Sequence, residues 1–95
     1  MTSYVLILGS NFVSREQAQA ILDNIPEVTH WYACLPNCIF FTSSLNAQQL
    51  ADRFISLTLF SQNRRFLIME ANSNRQGWLP RRAWTLLRFP DRPTQ

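Results

Sequence analysis

Residues 28–42, VTHWYACLPNCIFFT, hold two short runs rich in β-branched and aromatic side chains around a Pro-Asn pair. Val28 to Ala33 has the composition of a strand, and so does Cys38-Ile39-Phe40-Phe41-Thr42. Leu35-Pro36-Asn37 between them has turn chemistry. A connection this short predicts an antiparallel hairpin. The chain on either side then reads as one strand and one helix before the hairpin and one helix and one strand after it.

Toward the N-terminus, Tyr4-Val5-Leu6-Ile7-Leu8 is continuously apolar and predicts a buried central strand, ended by Gly9-Ser10-Asn11. Ser14 with Gln17 three residues on is a capping box, and Val13 is placed to staple against Ala18. Ala18, Ile21, Leu22 and Ile25 form one apolar helical stripe, and Pro26 stops it. Toward the C-terminus, Asn46 and Gln49 form a second capping box, with Leu45 placed against Leu50. Leu50, Phe54 and Leu57 define the inward face of that helix. Arg65 to Glu70 reads as a fourth strand, and Pro80 as the opening of a short helix carrying Ala83, Trp84 and Leu87 on one side.

The order β-α-β-β-α-β predicts an α+β, ferredoxin-like domain. Two helices pack on a four-stranded antiparallel sheet, followed by a short C-terminal helical segment. Residues 1–90 form the domain and residues 91–95 an irregular tail. Leu6, Ile21, Leu22, Ile39, Phe54 and Ile68 are expected in one core. Tyr4, Trp31, Phe40 and Phe66 are expected on the opposite sheet face, which both predicted helices leave bare. An apolar face of that kind needs a cover. The C-terminal segment is one; a two-fold homodimer through this face or an edge strand, with Trp78, Trp84 and Phe89 in its interface, is the other.

Composition narrows the function classes. A chain of 95 residues is one domain with one modest core. The formal charge is +3, and all nine basic residues are arginine. Arginine's planar fork suits phosphate and carboxylate. No signal-like segment and no run of about 20 apolar residues is present, so cytoplasmic rather than membrane residence is expected. Two cysteines do not make a disulfide scaffold.

Few residues invite chemistry. His30, Cys34 and Cys38 are too few, and wrongly spaced, for a zinc site. His30 and Cys34 would lie about 13 Å apart along a strand, too far for a nucleophile–base pair. Gly9-Ser10-Asn11 lacks the glycines and the following Lys of a phosphate loop. No catalytic residue, metal ligand or cofactor is therefore expected. Arg64, Arg65, Arg75, Arg81 and Arg82 make the C-terminal half basic, and Trp78 and Trp84 are available to stack on unpaired bases. These arginines are the candidate nucleic-acid contacts, with solvated arginine beside packed tryptophan as the plain alternative.

Over about residues 3 to 88 the sequence resembles the small Cas2-like, SinR-like family. The matching features are the opening strand Tyr4 to Leu8, Trp31 after the first helix, and the second-helix segment from Asn46 to Phe54. They continue with the approach to the fourth strand from Ser61 to Ile68, and Gly77-Trp78-Leu79-Pro80 followed by Trp84. The resemblance implies a ferredoxin-like fold and a dimer, in a toxin–antitoxin or mobile-element defence setting. Nuclease members of that family end the first strand in a Tyr-Asp-type motif whose carboxylate holds a divalent metal. Here the stretch is Leu8-Gly9-Ser10-Asn11, and the first acidic residue is Glu16. A neutral Asn11 removes the charged oxygen that magnesium or manganese favours. The sequence thus points first to a non-enzymatic interaction module, a homodimer or the partner of another protein. A nucleic-acid-binding relative without nuclease activity is the alternative, and a metal-dependent nuclease the remotest reading.

Overall fold

The computed structural model describes residues 1–91. Its elements are β1 (Thr2–Leu8), α1 (Arg15–Asp23), β2 (Val28–Leu35), β3 (Cys38–Ser43), α2 (Ala47–Leu57), β4 (Phe66–Glu70) and α3 (Arg81–Arg88). The strands form one antiparallel sheet in the order β2-β3-β1-β4. This is the ferredoxin-like α+β arrangement, with a third helix added. Of the tail expected at residues 91–95, only Asp91 is among the described residues.

Both predicted capping boxes form. Ser14 Oγ accepts from the Gln17 N–H at 3.1 Å while Gln17 Oε1 accepts from the Ser14 N–H at 2.8 Å. Asn46 and Gln49 repeat the exchange at 2.8 and 2.9 Å. Each box satisfies donors that a helix N-terminus otherwise leaves unpaired. Ala18, Ile21 and Leu22 of α1, with Leu50 and Phe54 of α2, are buried against Tyr4, Leu6, Leu8, Ile39 and Phe41. Ile68 packs on this core while remaining partly exposed. Phe54 also meets Phe66 edge-on at 4.9 Å, and Phe12 lies 6.0 Å from each.

The second face corrects one expectation. Tyr4, Trp31 and Phe66 point toward α1 and α2, and only Phe40 lies on the other side. Pleating enforces this: Tyr4 shares a face with Leu6, and Phe66 with Ile68, because alternate residues point the same way. Tyr4 stacks on Phe41 at 5.5 Å, and its hydroxyl donates to the Leu45 carbonyl at 2.7 Å. Burial raises the Tyr4 pKa, with the Glu70 charge adding to the shift.

The second face is closed by α3, which packs on β2, β3 and β1. Ala83, Leu86 and Leu87 bury there against Phe40, with Val5, Tyr32 and Trp84 around them. Ser3 Oγ, itself buried, reaches the Leu86 and Leu87 carbonyls at 3.0 and 3.2 Å. The Arg82 guanidinium lies over the Tyr32 ring at 4.9 Å, a cation–π contact. Pro80 is the N-cap of α3 rather than its first residue, so the helix starts one position later than expected, and Pro80 supplies no side-chain bond.

Candidate functional site

The loop after β1 has a conformational explanation. Gly9 donates to the Arg65 carbonyl at 2.7 Å, and a Cβ at Gly9 would lie 2.6 Å from Arg65 Cβ. Only glycine fits that approach. Asn11 then takes φ 60°, the left-handed region that asparagine tolerates better than most residues. It is exposed. Among the described residues, no group of three or more His, Cys, Asp or Glu side chains is placed to hold a metal ion.

Burial works against thiolate formation at both cysteines. Cys34 and Cys38 are free and half-buried at the two ends of the hairpin turn. Desolvation raises both pKa values, and at Cys38 the neighbouring Cys34 adds to the rise. A nucleophilic cysteine needs the opposite environment. Alternation along the strands places Cys34 with Tyr32, and Cys38 with Phe40, on the α3 side of the sheet.

The candidate arginines divide. Arg75, Arg81 and Arg88 line one open cavity of about 1050 Å³ together with Trp78, Trp84 and Phe89. Among the described residues, no carboxylate lines it. The side chain of Arg75 donates to the Ala71 and Asn72 carbonyls. Arg88 escaped the sequence reading, because its place on this wall depends on how α3 docks. Arg64 and Arg65 do not line the cavity; they precede β4, where Arg65 packs against Gly9. Arg82 turns away to Tyr32.

The three candidate interface aromatics also separate. Trp84 is half-buried on the α3 core, whereas Trp78 is 100% exposed and Phe89 is 43% exposed. A smaller cavity of about 450 Å³ lies between Val5, Phe40, Met69, Leu79, Trp84 and Leu87.

One further feature of the sheet escaped sequence reading. The strand β4 is an edge strand, and its Leu67 and Met69 are 52% and 47% exposed. They stand opposite Ile7 and Val5 on the α3 side of the sheet. The run Phe66-Leu67-Ile68-Met69 is apolar at every position in the sequence, but its place at a sheet edge is not legible there.

Comparison with protein-family models, with curated proteins and with solved structures finds no match to this chain. No helix among the described residues is long and apolar enough to cross a membrane.

Proposed function

We propose that this chain is a non-enzymatic interaction module that works as a homodimer. The supporting observation is the open β4 edge. The β1–β3 part of the sheet has helices on both faces, whereas Leu67 and Met69 are half exposed on a strand with an unpaired side. Exposed apolar edge strands are templates for pairing with another chain. The raised thiol pKa values and the neutral β1 loop fit binding better than catalysis. Light scattering on the purified protein tests the reading. Twice the 11.1 kDa chain mass is expected at micromolar concentration, and Leu67→Lys should return the monomer with its helix content unchanged. A wild-type monomer would overturn it.

A second reading has its own observation, the cavity shared by three arginines and two tryptophans and lined by no carboxylate among the described residues. We infer that it suits a single-stranded nucleic acid, with phosphates on the guanidinium groups and a base on Trp78. Titration of tryptophan fluorescence with oligothymidylate should show quenching that weakens steeply with salt. Arg81→Ala and Arg88→Ala should each lower affinity and flatten the salt slope by about one. Salt-independent or absent binding would eliminate this reading.

A further inference from the structure

We propose that the partner at the β4 edge is a second copy of β4, paired antiparallel about a two-fold axis at Ile68. This rests on the homodimer reading and gives it a geometry. The backbone directions along β4 follow from two hydrogen bonds at its ends. Gly9 donates to Arg65, and Ala71 donates to Ser3 at 2.9 Å. The register sets Leu8 opposite Phe66 and Tyr4 opposite Glu70, so positions 9 and 65, and positions 3 and 71, are directly opposed pairs. In an antiparallel ladder, hydrogen-bonded pairs recur at every second residue. Positions 65, 67, 69 and 71 therefore bond inward to β1. Phe66, Ile68 and Glu70 aim their N–H and C=O groups away from the sheet, and no backbone partner meets them among the described residues.

A second copy satisfies those groups in one register. With Ile68 opposite Ile68 of the partner subunit, positions 66 and 70 fall opposite 70 and 66. Each of these pairs is then a hydrogen-bonded pair, and all the outward groups are used. The strand's charge pattern agrees. Arg64-Arg65 precedes it and Glu70 ends it. Antiparallel pairing sets the basic end of one strand beside the acidic end of the other, with Arg64 diagonal to Glu70 of the partner subunit and on its face. A parallel arrangement would bring like charges together. Leu67 comes directly opposite Met69 of the partner subunit in a non-hydrogen-bonded pair, where side chains approach most closely. The two half-exposed apolar residues of each copy thus cover each other. The product is one continuous eight-stranded sheet with closed isologous contacts.

Cysteine pairing tests this geometry. Opposed residues of a non-hydrogen-bonded pair have Cα atoms about 4.5 Å apart, within disulfide range. The double variant Leu67→Cys/Met69→Cys should oxidise to a disulfide-linked dimer on a non-reducing gel. Leu67→Cys alone, Met69→Cys alone and the wild type, which keeps Cys34 and Cys38, should not. Both positions are half exposed, so neither substitution opens the core. Hydrogen exchange on the wild type gives a second readout: the Phe66, Ile68 and Glu70 amides should be protected at high protein concentration and lose protection on dilution. A dimer by light scattering without the double-variant cross-link, or with these amides unprotected, would overturn the pairing and leave the homodimer reading standing. A monomer would overturn both.

Discussion

The two faces of the sheet are both apolar, yet they are closed by different means. The first face carries α1 and α2, each entered through a capping box, and buries a continuous core from Tyr4 to Phe54. The second carries α3, eight residues long with no side-chain cap, over a smaller cluster around Phe40. An isolated helix of that length is unstable in water, so α3 depends on the sheet beneath it. The contrast separates elements specified by their own local sequence from one specified by what it lands on.

The largest effect should come from the first face. Phe54→Ala removes a fully buried ring that also contacts Phe66 and Phe12, and should cost about 3–5 kcal/mol. Denaturant melts would show whether the domain remains folded at all. Leu86→Ala on the second face should cost about 2–3 kcal/mol, at the lower end for buried leucine because the smaller cluster can relax. Hydrogen exchange sharpens the contrast. In Leu86→Ala the α3 amides should lose protection ahead of α1 and α2; simultaneous loss would mean that the two faces unfold as one unit.

Smaller effects probe single tethers. Ser3→Ala removes the hydroxyl that holds the Leu86 and Leu87 carbonyls and should cost about 1 kcal/mol in a urea melt. A change indistinguishable from zero would leave α3 held by its apolar contacts and the Arg82–Tyr32 contact. The smallest effect belongs to Glu27, whose carboxylate takes two bonds from Arg53 at 3.1 and 3.3 Å. Those bonds, first among the causes, lower its pKa below the ordinary 4.5. A depressed folded pKa contributes stability that is present above the unfolded value and lost as pH falls through the folded one. Glu27→Gln should therefore lower the melting temperature slightly at neutral pH and make no difference in strong acid. An exposed pair of this kind contributes little, so a large neutral-pH loss would reveal another role for Glu27.

Elements governed by near neighbours were legible in the sequence. Ser14 with Gln17 and Asn46 with Gln49 act across three residues, and Ile21, Leu22, Leu50 and Phe54 follow from helical period alone. The direction of the aromatic residues was not legible. Tyr4-Val5-Leu6-Ile7-Leu8 is apolar at every position, so alternation could not say which parity faced α1 and α2. The candidate site was legible only in part. The basic character of residues 75–82 was plain, but the grouping of Arg75, Arg81 and Arg88 apart from Arg64, Arg65 and Arg82 depends on how α3 lies across the sheet.

By itself, then, the sequence determined the order of elements, the starts of α1 and α2 and the main hydrophobic core, because each rests on contacts within a turn or on a short periodic pattern. Tertiary structure alone decided that α3 closes the second face, that Ser3 is its tether, and that β4 is left as an open edge. Those outcomes depend on contacts between residues far apart in the chain, 83 and 84 positions in the case of Ser3, and on strand order, and neither leaves a signal in local composition.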